Sequence, residues 1–240
     1  MVSWFLTLNK IGGRVRPWRT VIALVFLVPS GCTQFFDEAF SRHSQETKEL
    51  MELVKAGDAR AQTALGQRYE LGDGFKRDGA KAKRWYQRAA DQGDLLAMFL
   101  LGQMFETGAL GEPDYHRAAT LYTSAADKGH AAAQASLAHL YEKGRGVPQD
   151  AAEAVRWYRL AAEQGIAAAK ASLGLMYARG DGVPEDIVLA YMWWNLAAAQ
   201  GHEDAQDNKD IAESRMTREQ IAEAQRLSRE WIEAHPPGGN

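Results

Sequence analysis

The chain has 240 residues, and its 28 lysines and arginines nearly balance 31 aspartates and glutamates, for a net charge of −3 with histidine neutral. That balance leaves no case for a nucleic-acid partner, which would demand a basic stripe, and a single cysteine excludes a disulfide within one chain. A chain of this length would ordinarily form one or two domains. The periodicity described below makes it one elongated array instead.

Residues 1–31 read as a secretory signal: Lys10, Arg14, Arg16 and Arg19 precede the apolar run from Val21 to Val28, and Pro29-Ser30-Gly31 supplies a small-residue exit. A run of 8 apolar residues is too short to cross a membrane as a helix, because the hydrocarbon core is about 30 Å thick. Ser30-Gly31-Cys32 resembles the bacterial lipobox, whose cysteine is acylated and becomes the new N-terminus. Pro29 departs from that pattern, where leucine is usual, and an ordinary cleaved signal is the alternative. The resemblance implies Cys32 as a lipidation site and a membrane contact through its lipid anchor. Thr33 behind it implies an exported lipoprotein on the periplasmic side of the envelope, at the outer membrane. Residues 32–41 then form a tether.

Residues 42–56 are expected to form an N-terminal capping helix, with Leu50, Leu53 and Val54 one period ahead of Tyr86, Ala89 and Ala90. From there the chain repeats four times, over 57–92, 93–128, 129–164 and 165–200, with a period of 36 residues that carries Gly129 to Gly165. The same offset relates Leu65, Leu101, Leu137 and Leu173, and also Asp78, Asp114, Asp150 and Asp186. Self-similarity at such a period marks stacked units, none of which buries its apolar face alone.

The third unit is the clearest. Ala133, Leu137 and Tyr141 line one stripe of a first helix, and Gly144-Arg145-Gly146 stops it. Pro148 bars continuation, Asp150 is a good N-cap, and Glu153 stands where a capping box places its acid. Ala154, Trp157, Tyr158, Ala161 and Ala162 line the second helix. Residues 201–235 predict two C-terminal capping helices. One runs from about His202 to Ser214; the other follows a Thr217–Gln220 capping box and carries Ile221, Ala224, Leu227 and Trp231 on one stripe. Residues 236–240 read as a disordered tail. The expectation is an all-α chain of eleven helices.

The run from Leu137 to Gly165, LAHLYEKGRGVPQDAAEAVRWYRLAAEQG, resembles a Sel1-like repeat, a relative of the tetratricopeptide repeat. The resemblance covers all four units. It is poorest in unit two, where the loop reads GALGEPD and Leu121 replaces a tryptophan. It implies a right-handed α-solenoid of antiparallel helix pairs, without catalysis or cofactor, that holds a protein or peptide on a concave face lined by the first helices. Some cysteine-rich relatives are linked to penicillin binding, but they carry a cysteine pair in each repeat, which this chain lacks.

On the first helices, the stripe beside the core carries Arg60, Thr63 and Gln67, then Leu96, Phe99 and Gln103, then Ala132, Ala135 and His139, then Ala168, Ala171 and Leu175. Arg60, Gln67, Leu96, Phe99, Gln103, His139 and Leu175 are the candidate partner-binding residues. Leu96, Phe99 and Leu175 are apolar where the other units are mostly small or polar, and exposed apolar groups mark interaction sites. The alternative is that unit two repacks its pair into its own core. No pairing of His43, His116, His130, His139, His202 and His235 has metal-ligand spacing. Asp78 and its three counterparts recur at helix starts, so they are caps before they are acid–base groups. The reading is a non-catalytic scaffold binding an envelope protein. The alternatives are a periplasmic regulator restraining a membrane signalling protein, or a protein that binds or modifies peptidoglycan.

Overall fold

The computed structural model describes residues 45–236. The expectations for the signal, Cys32, the tether and the last four residues lie outside the described residues. The chain divides at Glu49/Leu50 into two units, and the fold below is that of Leu50 to Asn240.

All regular structure among the described residues is helical. Helix α1 occupies residues 45–55. It is followed by α2 (Ala59–Leu71), α3 (Gly79–Asp91), α4 (Leu95–Thr107), α5 (Tyr115–Ala126), α6 (Ala131–Lys143), α7 (Ala151–Glu163), α8 (Ala167–Arg179), α9 (Ile187–Ala198), α10 (Glu203–Glu213) and α11 (Arg218–Ala234). Even-numbered first helices pair with the odd-numbered second helices that follow them in each of the four units, and each second helix also packs on the next first helix. Every second helix therefore serves two units, which makes the core continuous from α3 to α11.

The repeat signals act as local chemistry dictates. Gly72, Gly108, Gly144 and Gly180 end the first helices in the left-handed region, at φ 80°, 65°, 64° and 71°, where a Cβ would be strained. The Asp78, Asp114, Asp150 and Asp186 carboxylates each accept a backbone N–H in the first turn of a second helix. Glu153 does not close the expected capping box. Its carboxylate takes the Arg156 guanidinium at 2.8–3.2 Å instead, because an arginine one turn on competes for the same oxygens. The box at Thr217 and Gln220 is complete.

Alanines at the helix contacts let the backbones approach, and leucines 65, 101, 137 and 173 are almost wholly enclosed. Within a unit, the second-helix tyrosine donates to a first-helix glutamate: Tyr86 to Glu70 at 2.6 Å, Tyr122 to Glu106 at 2.6 Å and Tyr158 to Glu142 at 2.9 Å. Unit four changes both partners, to Trp194 and Ala178, and the indole N–H donates to the Ala171 carbonyl at 3.2 Å. A second rung links Gln92 to Gln62 at 2.9 Å and Gln164 to Gln134 at 2.7 Å, and recurs as Lys170 to Gln200 at 3.3 Å.

The two ends depart from the repeat. In α1, Val54 is buried, but Leu53 is 53% exposed rather than core like its counterpart Ala89, since no described helix precedes α1 to cover it. At the other end α11 packs chiefly on α9 rather than completing a pair with α10. Helix α9, IVLAYMWWNLAA, carries no charge, so more than one of its faces must be covered. Trp231 of α11 reaches Trp193, with ring centroids 5.9 Å apart, and lies under the Lys170 amine, 4.4 Å from the ring centre. Burial holds the Lys170 amine below its usual pKa.

Candidate functional site

The first-helix stripe is positioned by the core stripe next to it. Each first helix turns its alanine and leucine inward against the second helices, which leaves the residues one or two positions earlier on the open side or at the seam with the next first helix. Arg60 and Gln103 are exposed, Gln67 and His139 are half-buried, and Leu96 is 41% exposed.

Phe99 and Leu175 are half-buried and packed against the core. Phe99 lies with its ring centroid 5.1 Å from that of His130 and 5.9 Å from that of Tyr122. Thr63, one period earlier, is buried, and its hydroxyl donates to the Asp94 carboxylate at 2.9 Å. Asp94 and His130 are the N-caps of α4 and α6. This row therefore touches the cap of the following first helix, through a polar pair in one unit and an aromatic pair in the next. The stripe reading placed Thr63 and Phe99 on the same open surface as Leu96. That difference follows from the neighbouring first helix standing over the i+3 position and leaving the i position clear.

His130 caps α6 through its ring. Nδ1 accepts the Ala133 N–H at 3.2 Å, so that nitrogen must be unprotonated. Burial pushes the imidazole below its ordinary pKa, against the opposing pull of the Asp94 charge. His202 holds the same place on α10, accepting from Ala205. Both histidines sit where Asp58 and Asp94 cap α2 and α4. The recurrence of Asp, Asp, His, Ile and His at one period is the sequence signal for this role.

Two of the candidate residues meet. His139 and Leu175 line one cleft between α6 and α8, of about 220 Å³, with Glu142, Ser172, Met176, Arg179 and Asp181. Leu175 and Met176 give it an apolar floor. Glu142 lies 3.9 Å from His139. Burial would raise the Glu142 pKa, but hydrogen bonds from Lys143 and Tyr158 outweigh it and hold the group below its ordinary value. Arg179 is exposed and forms no ion pair among the described residues. Leu96 lies outside this cleft, on α4. Among the described residues no group of three or more His, Cys, Asp or Glu is placed to hold a metal ion, and no helix is long and apolar enough to cross a membrane. The cleft offers an apolar floor beside an Arg179 guanidinium that has no ion pair among the described residues.

The Sel1 repeat family model matches residues 59–94, 95–130, 131–166 and 167–202, a framing shifted by two residues from the one at Gly57. Among solved structures, the chain is similar to c5321, a protective antigen present in uropathogenic Escherichia coli strains that displays an SLR fold. The two are 33% identical with a TM-score of 0.74, over 78% of this chain and 40% of that one. It is also similar to a Sel1 repeat protein from Oxalobacter formigenes, 26% identical with a TM-score of 0.66, over 82% of this chain and 96% of that one. The chain thus spans well under half of the c5321 chain. No curated protein matches it. Four matched repeats in register with four helix pairs establish that the chain belongs to the Sel1 repeat family.

Proposed function

We propose that this chain is a non-catalytic scaffold of the bacterial envelope that holds a partner protein on its first-helix face and is anchored at the outer membrane through an acylated Cys32. The observation that carries the binding role is the departure from periodicity on that face. Leu96 stands 41% exposed where unit one has arginine and units three and four have alanine. Two units on, Leu175 and Met176 floor an open cleft rimmed by His139 and Arg179. Exposed apolar side chains mark interaction surfaces, and methionine and arginine are enriched in them. The lone cysteine, at the end of the apolar run from Val21 to Val28, supports the anchor. The antigen role named for c5321 fits exposure outside the cytoplasm.

The binding role is tested by a photo-crosslinker at Gln103 in cells, with and without Leu96→Asp. Because Leu96 is exposed and Phe99 is not, Leu96→Asp alone leaves the melting curve in place and lowers capture of the crosslinked protein about tenfold or more. Unchanged capture by a stable variant overturns the assignment of this face. The anchor is tested by fractionation: Cys32→Ser moves the protein from the membrane to the soluble fraction, and an unchanged distribution refutes acylation.

A further inference from the structure

Subtracting one repeat from another leaves a second departure, on the opposite helices and in unit one. Lys81, Arg84 and Arg88 fall at i, i+3 and i+7 of α3, and all three are exposed. The corresponding residues are Arg117, Thr120 and Ser124 in unit two, Glu153, Arg156 and Leu160 in unit three, and Leu189, Met192 and Leu196 in unit four. The loop ahead of α3 adds Lys76 and Arg77, also exposed, where the other units have Glu112-Pro113, Pro148-Gln149 and Pro184-Glu185. Residues 72–91 thus hold six cations, with Lys83, against Asp73, Asp78 and Asp91, a net charge of +3. Among the described residues, only Lys81 of the six approaches a carboxylate within ion-pair range, Asp78 at 3.7 Å.

Apolar groups lie among these cations. Leu71 is 78% exposed at the end of α2. Phe75 in the loop and Trp85 on α3 are half-buried, with the Arg88 guanidinium 4.8 Å from the Trp85 ring centre. The rest of the array has the opposite charge. Residues 92–236 carry 13 cations and 21 carboxylates, a net −8.

We infer that the unit-one face formed by the loop 72–78 and the exposed side of α3 docks on an anionic phospholipid bilayer. Cations near such a surface gain favourable interaction energy, while leucine and aromatic rings suit the headgroup boundary. The −8 remainder is repelled by the same surface, so contact is confined to the unit-one end and the far units stand away from the lipid. A polybasic patch near a lipid anchor is a known further contact with an anionic surface. In that respect the inference rests on the Cys32 anchor proposed above, although the patch itself does not depend on it.

The test uses the chain from residue 32 onward with Cys32→Ser, so that neither acylation nor the basic and apolar residues 1–31 enter. A fluorophore is placed at Gln87→Cys, on the exposed side of α3, or at Ser214→Cys, beyond α10. Vesicles of phosphatidylglycerol and phosphatidylethanolamine, or of phosphatidylcholine alone, carry a headgroup nitroxide quencher. The Gln87 probe is quenched on the anionic vesicles only, the Ser214 probe is not, and 0.5 M salt reverses the quenching. Replacing Lys76 and Arg77 by Ser and Arg84 and Arg88 by Gln lowers the docking constant by nearly three orders of magnitude, at roughly fivefold per cation. Arg84→Gln alone, which disturbs no stacking contact, still lowers it several-fold. Equal quenching of both probes, or quenching that survives charge removal, overturns the inference. A Gln87 probe that ignores vesicles but responds to poly-glutamate assigns the patch to an acidic protein and also overturns it. Cell fractionation of the acylated form tests the anchor separately, so either claim can fail alone.

Discussion

The tyrosine–glutamate rung offers a sharp test of how the units are built. Tyr122 is fully buried, its hydroxyl donates to Glu106 at 2.6 Å, and Glu106 is half-buried. Glu106→Ala strands a buried hydroxyl, at a cost of about 1–3 kcal/mol. Ser136 stands beside the same oxygen, which places the cost toward the lower half of that range. Tyr122→Phe leaves Glu106 without its donor, but the carboxylate can recruit water, so about 1–2 kcal/mol is lost. Changing both leaves neither group stranded. The double variant should then fall short of the summed singles by about 1 kcal/mol or more. Unit four already carries such a paired change, with Trp194 and Ala178 at these two positions. Urea unfolding followed by circular dichroism, with thermal midpoints alongside at about 2–4 °C per kcal/mol, measures all four corners of the cycle. Strict additivity, within about 0.3–0.5 kcal/mol, would refute the idea that the two side chains act as one element.

Two further outcomes follow from burial and titration. Leu137→Ala, at a site with no solvent exposure, should cost about 2–5 kcal/mol, while Glu163→Ala on the exposed end of α7 should stay within about 0.5 kcal/mol; equal, mild effects in urea unfolding would contradict the packing. His130 has a folded pKa below its unfolded value. Its cap therefore stabilises the fold above the ordinary imidazole range and is lost as the pH falls through the depressed folded value. His130→Asp, matching Asp94, should flatten that part of the stability–pH profile, and an unchanged profile would place the acid sensitivity elsewhere.

Most of the fold is legible in the sequence because glycine, aspartate and leucine recur at positions where backbone geometry leaves few options. A left-handed stop at Gly144 and a carboxylate at Asp150 fix the ends of α6 and α7 without reference to anything distant. The candidate face is less legible. Thr63 and Phe99 share a period with open-surface positions, and only the placement of the next first helix decides that one donates to Asp94 while the other packs on His130. The route of α11 has a sequence cue of another kind. A twelve-residue helix without a single charge cannot leave a face to solvent, but which segment covers it is a long-range matter. Glu153 shows the limit of motif reading, since Arg156 one turn on redirects the acid.

That cover on α9 also bears on how the repeat meets other molecules. In a periodic stack the last interface has the same shape as every interface before it, so an unfinished end would accept the first helix of any neighbouring copy and grow into a fibre. By laying Ile221, Leu227 and Trp231 against the core beside α9 and leaving α10 with a charged exterior, α11 breaks the alternation of pairs and occupies apolar surface that a neighbouring copy would otherwise meet.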